Sequence, residues 1–204
     1  MNRLFKKKAD FEALLEAFRH PNPNLNEEAC LQMRAYWPKE TILFLTNNLD
    51  SDDVQIRRKS VKFLSTFGIQ IVEPIMNLFI SSEKVVLKVS CLKVLIKLAA
   101  NNNTDDFFTK VFSLIELAIK EDSAEIILSV ICLLRQLGKK GLPMLIKLAI
   151  NTDNILASKA AITAIGEISD TRSINCLNQL LDDSALDLIL RESAIYALSN
   201  LESN

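Results

Sequence analysis

The chain is poor in the residues that turn a backbone, with 4 Gly and 5 Pro in 204 residues, about 4% where an ordinary globular protein carries roughly 12%. Doubly wound α/β folds, barrels and sandwiches place Gly and Pro at most of their turns, and a phosphate-cradling loop needs several glycines close together. With glycine only at positions 68, 138, 141 and 166, neither a dinucleotide-binding fingerprint nor a P-loop can be written. A single histidine, His20, leaves no material for a His-rich metal site and argues against His-based catalysis. The four cysteines are spaced 61, 41 and 44 residues apart, with no CxxC pair; that excludes a zinc ribbon or redox dithiol and fits a reducing compartment.

Long apolar runs are also missing. The longest, Ile126 to Leu134, is far short of the ~20 residues that span a bilayer, so no membrane span is expected. The start, MNRLFKKKADFEALLEAF, is basic but lacks an apolar core before Asp10 and Glu12, so it does not read as a secretory signal. Lys6, Lys7 and Lys8 read as a solvated lead-in to a helix. The net charge of −1 divides into a basic first half, +4 over residues 1–102, and an acidic second half, −5 over 103–204. An apolar content of 49% is that of a folded chain.

What the sequence has is a repeat. The segments NEEACLQMRAYW (26–37), RRKSVKFLSTFG (57–68), KVSCLKVLIKLA (88–99), ILSVICLLRQLG (127–138), SKAAITAIGEIS (158–169) and RESAIYALSNLE (191–202) align without gaps. One column holds Met33, Leu64, Leu95, Leu134, Ile165 and Leu198, at spacings of 31, 31, 39, 31 and 33. The columns three before and three after it are apolar in all six copies, and the column four before it is small or apolar throughout. An all-apolar column of six arises by chance about once in a hundred at this composition, so three of them mark a real register. Offsets of −4, −3, 0 and +3 share one face of an α-helix.

A second apolar stretch follows each of the first five copies: 41–49, 74–80, 107–119, 142–150 and 174–181. Pro74 and Pro143 sit near the starts of two of them, where a missing N–H costs nothing. The clusters 50–53, 122–123, 153–154 and 182–184, built of Asp, Asn and Ser, read as N-caps for the returning helices. The expected fold is all-α: an α-solenoid of about six HEAT-like helix–turn–helix repeats, forming one domain over 1–204. Residues 1–23 make an N-terminal capping helix, marked by Phe11, Leu14, Leu15 and Phe18, and its HPNP turn; residues 24–204 make the repeats. The single long spacing places a polar insert near 101–106, read as an exposed loop. The last copy has no second helix, so a partner or a second copy of the chain, in a homo-oligomer, is expected against that end.

Nothing in the linear sequence forms a nucleophile–base pair or a metal set, so no catalytic or metal-binding residue is assigned. Cys30, Cys91 and Cys176 occupy apolar positions and read as packed, whereas Cys132 shares a column with Lys62, Lys93, Thr163 and Tyr196 and reads as the exposed thiol. The candidate binding surface is Tyr36, Trp37, Arg57, Arg58, Arg191, Glu192 and Tyr196. The arginines suit carboxylates, the aromatics suit a groove wall, and the second helices are expected to line the concave face. Each has a structural alternative: Trp37 packing on the capping helix, and the Arg57 and Arg191 column making contacts between repeats.

The strings RRKSVKFLSTFG…VEPIMNLF, AAITAIGEISDTRSINCLNQLL and RESAIYALSNLE, together with the Asn-rich insert, resemble the HEAT-repeat phycobilin lyase and chaperone family of the E/F type. The HPNP turn and the ending ESAxxALSxLE are most similar to its chaperone-like, phycoerythrin-associated branch. The resemblance implies a cyanobacterial cytosolic or plastid stromal protein that assists attachment of phycoerythrobilin to phycoerythrin subunits. In that chemistry a client cysteine adds across a bilin double bond to give a thioether, so the nucleophile lies on the client. Implied partners are the phycoerythrin α or β subunit and a sister phycobilin lyase, with bilin contacted transiently, no tightly bound cofactor and no nucleic acid. Six copies make a short groove, which favours an accessory, chaperone-like role over an independent lyase. Two other readings are a HEAT scaffold unrelated to pigment and a nucleic-acid-binding protein using the basic half.

Overall fold

A computed structural model describes residues 10–102, 104–151 and 154–202. Lys6–Lys8, Asn103 and Asp153 lie outside them. Among the described residues there are twelve α-helices and no strand. The capping helix is α1 (Phe11–Arg19). The first helices of the repeats are α2 (Pro23–Tyr36), α4 (Val54–Leu64), α6 (Val85–Asn101), α8 (Ala124–Leu137), α10 (Ile155–Ile165) and α12 (Leu188–Glu202). The second helices are α3 (Pro38–Asn47), α5 (Val72–Ser81), α7 (Asp105–Ala118), α9 (Leu142–Asn151) and α11 (Thr171–Asp182). The chain is therefore an all-α solenoid.

Two layers result. In the first, α4 packs on α6, α6 on α8, α8 on α10 and α10 on α12; in the second, α5 packs on α7 and α9 on α11. Each second helix also lies against the first helix that follows it, and one apolar cluster runs from Phe18 to Ala197. Leu64, Leu95, Leu134 and Ile165 are fully buried along its axis, and Met33 is fully buried in a smaller cluster with Leu14, Leu15 and Ala29. The column three before them is buried in five copies, from Cys30 to Ile162, while Ile195 in α12 is 55% exposed.

The caps follow the sequence at three of four clusters. Asp53 accepts from the N–H groups of Gln55 and Ile56, Ser123 from Ile126, and Asn154 from Ala157. The fourth expectation is corrected: α11 runs through Asp182, and α12 is capped by Asp187, which accepts from the Ile189 N–H at 2.8 Å.

The polar insert is also corrected. Its extra residues go mainly into helix, since α6 extends to 17 residues and α7 to 14, where α4 and α5 have 11 and 10. Asn102 closes α6, its side chain donating to the Leu98 carbonyl, and Thr104 caps α7 through the Phe107 N–H.

Residues Val54–Ser81 form one helical run apolar enough by length to cross a bilayer. Gly68, at φ 74°, breaks it through a 3-10 turn, and Phe67, Ile71, Val72, Ile75 and Phe79 turn into the core. The positive φ is open to Gly at no steric cost. Gly166 is required for a different reason. A Cβ there would stand 2.6 Å from the Ala197 Cβ and 2.7 Å from its Cα, so α10 and α12 meet only because position 166 has no side chain. Gly166→Ala is expected to cost about 1–3 kcal/mol by overpacking. Thermal melting followed by circular dichroism checks this, with a fall of several degrees expected and an unchanged midpoint refuting it.

Candidate functional site

In four of the six first helices, α2, α4, α10 and α12, a side chain near the start serves carbonyl groups at or just beyond the end of the preceding helix. In α2 this position is Asn26, whose buried amide nitrogen donates to the Ala17, Phe18 and His20 carbonyls at the end of α1. In α10 it is Ser158, whose hydroxyl donates to the Ala149 carbonyl at 2.7 Å. In α4 it is Arg57, donating to the Ser51 carbonyl, and in α12 Arg191, donating to Leu181 at 2.8 Å and to Asp183. Lys88 takes the same place in α6 but pairs forward with Glu121 at 2.7 Å, its ammonium 5.3 Å from the Phe79 ring centroid. The column is a latch between repeats, so Arg57 and Arg191 point at backbone rather than at a ligand.

One residue further on the helix surface turns outward. Arg58 and Glu192 are exposed, and Tyr196 is 64% exposed. Arg58 makes no hydrogen bond or ion pair among the described residues. The outward positions of successive first helices enclose grooves in a constant register. One of about 610 Å3 lies between α4 and α6, lined by Val54, Arg57, Arg58, Val61, Lys62, Ser90, Lys93, Ile96 and Lys97. A second of about 450 Å3 lies between α8 and α10, with Leu128, Cys132, Arg135, Leu156, Lys159 and Glu167 among its walls. Both open on the layer of first helices, whereas the expectation placed the binding face on the second. The register is why: outward side chains of adjacent first helices stand opposite each other.

The seven residues expected to form one surface are not brought together. Arg57 and Arg58 line the first groove, and none of Tyr36, Trp37, Arg191, Glu192 and Tyr196 lines either groove. Trp37 is half-buried against Phe11, with ring centroids 5.9 Å apart, beside the Leu14, Leu15, Ala29 and Met33 cluster. It packs on the capping helix. Tyr36 is 38% exposed at the same turn. Lys62, Lys93 and Lys97 were not among the expected site residues, although Lys62 and Lys93 stand in one outward column of the alignment.

The grooves differ in charge. Across the rim of the second, Arg135 Nη1 meets both carboxylate oxygens of Glu167 at 3.0 and 3.1 Å. The first is lined by five cations and no carboxylate. Among the described residues Lys62 is the one of the five with an ion pair, to Glu27 at 2.9 Å, and both partners are more than half exposed.

Cys132 is exposed and Cys30, Cys91 and Cys176 are buried. Burial pushes the Cys30 and Cys91 thiols up from 9.0 to about 12 and raises Cys176 as well. Protonated, covered thiols do not attack electrophiles. Maleimide at pH 7.5 is therefore expected to add once to the native protein, at Cys132, and four times after unfolding; more than one native adduct would contradict the burial. The latch has its own test. Removing Arg191 strands the carbonyls it serves, so Arg191→Ala is expected to lose about 1–3 kcal/mol, whereas the exposed Arg58→Ala should stay within about 0.5 kcal/mol of the parent. Equal losses in urea unfolding would refute the division.

A family model for HEAT repeats matches residues 113–199. The crystal structure of an engineered protein superposes with a TM-score of 0.51 at 16% identity, covering 96% of this chain and 97% of that one. The stacked helix pairs define an α-solenoid, and its second half, residues 113–199, is similar to HEAT repeats. Two curated proteins are similar along nearly its whole length. One is an uncharacterized phycocyanin operon protein Z of Pseudanabaena tenuis (strain PCC 7409), 24% identical over 191 residues, covering 94% of this chain and 95% of that protein. The other is the bilin biosynthesis protein CpeZ of Synechococcus sp. (strain WH8020), 23% identical over 182 residues, covering 86% and 97%.

Proposed function

We propose that this chain is a phycobiliprotein maturation factor of the cyanobacterial cytosol, an accessory that presents a subunit or its lyase for bilin attachment. The observation that carries this reading is the end-to-end similarity to two proteins named for a phycocyanin operon and for bilin biosynthesis. Similarity that covers the whole array, rather than one repeat, concerns the order of the copies and not HEAT patterning alone.

The chemistry needs little from this chain. A cysteine S–H of the client adds across a bilin C=C, the sulfur bonding to carbon and the proton going to its neighbour. What an accessory supplies is orientation, which raises the effective concentration of the reacting groups without a nucleophile of its own. The client in this reading is a phycoerythrin subunit, the bilin is phycoerythrobilin held only transiently, and a sister lyase is the second partner.

Co-expression of a phycoerythrin subunit, its lyase and the enzymes that make phycoerythrobilin tests the reading. With this protein present, covalently bound bilin, read as zinc-enhanced fluorescence on a denaturing gel, is expected to rise several-fold. Without the lyase it should stay at background. Equal chromophore with and without this protein would overturn the proposal.

A further inference from the structure

The groove between α4 and α6 has a charge pattern that stability does not explain. Arg58 and Lys62 stand four residues apart on α4, and Lys93 and Lys97 four apart on α6, so each wall carries two cations one helical turn apart. Four residues of helix rise about 6 Å. Between the walls, Val54, Val61 and Ile96 supply an apolar floor. Arg58, Lys93 and Lys97 are exposed and have no ion-pair or hydrogen-bond partner among the described residues. Like charges in so small a space repel one another, and a surface selected only for stability places carboxylates among them, as Arg135 and Glu167 are placed across the equivalent groove two repeats later.

We infer that this groove is a docking site for an acidic amphipathic helix of a partner protein, its apolar stripe on Val54, Val61 and Ile96 and its carboxylates on the two cation rows. The spacing selects the occupant. A helix with Glu or Asp at i and i+4 on each side of an apolar stripe presents carboxylates at the same rise as the cation pairs, and a helix laid between two helices is an established recognition mode. A carboxylate already fits one corner, where Glu27 holds Lys62 at 2.9 Å, and an incoming acid can exchange with that exposed pair. The apolar floor tells against nucleic acid, whose backbone offers it nothing to bury. The inference extends the maturation reading by giving the partner's chemistry, but the groove stands without it.

The test uses the full chain and a fluorescein-labelled peptide of about five helical turns, with Leu along one stripe and Glu at i and i+4 on both flanks. Fluorescence anisotropy at low salt is expected to show saturable binding that weakens steeply as salt rises. Lys93→Glu combined with Lys97→Glu should weaken binding by about tenfold or more, Lys93→Arg with Lys97→Arg should restore it, and Lys159→Glu in the second groove should leave it within about twofold. Circular dichroism melts establish that each variant is folded, the arginine pair serving if the glutamate pair is not. No binding, binding unchanged by charge reversal, or an equally tight single-stranded oligonucleotide would overturn the inference. The peptide carries no pigment, so that failure leaves the maturation reading standing, and failed co-expression leaves the peptide result untouched.

Discussion

Each first helix carries an apolar stripe too wide for its own second helix to cover, and burying that stripe against the neighbouring copies is the constraint on which the molecule depends. Met33, Leu64, Leu95, Leu134 and Ile165 are fully buried because a helix stands on either side of them. In α12, which has no further first helix stacked on it among the described residues, Ile195 is exposed although its five equivalents are buried. The stacking fixes the helix register. Once the stripe faces inward, Asn26, Arg57, Ser158 and Arg191, seven before its centre, reach carbonyls at the end of the preceding element, and the side chains two and six before it turn outward.

That division separates neighbours in sequence into different kinds of work. Arg57 and Arg191 close carbonyls of the preceding turn, while Arg58 and Glu192, one residue on, meet solvent. The outward positions are free to vary, and they do: a cationic groove between α4 and α6, an apolar groove with Cys132 and a paired rim between α8 and α10. A solenoid distributes chemistry along its outer surface in this way because each groove is built from the same positions of two copies.

The fold was legible because its signal is periodic and six times repeated. The capping helix, the five complete helix pairs and the sixth first helix stand where the alignment puts them, and three of four cap clusters act as caps. The misses have local causes. At 101–106 a polar Asn run reads as loop, yet an exposed helix end tolerates Asn: Asn102 closes one helix and Thr104 caps the next. At 182–184 the acidic cluster was taken for the cap, but Asp187, five residues on, holds the Ile189 N–H. The site was much less legible. Aromatic rarity and adjacent arginines singled out Trp37, which packs, and Arg57 and Arg191, which latch, along with Arg58 in the groove, whereas Lys93 and Lys97 are ordinary lysines in sequence and gain meaning only by facing Arg58 and Lys62 across that groove.

The proposed maturation role and the proposed docking groove together put the phycobiliprotein machinery against the layer of first helices. A photo-crosslinking amino acid placed at Lys93 on that layer, and separately at Leu117, an exposed position of α7 on the other layer, tests it in cells making phycoerythrin. Mass spectrometry of the adducts is expected to find a phycobiliprotein subunit or its lyase crosslinked at position 93 and neither at position 117. Those proteins crosslinked at 117 alone, or adducts at 93 only with proteins unrelated to phycobiliproteins, would contradict the account.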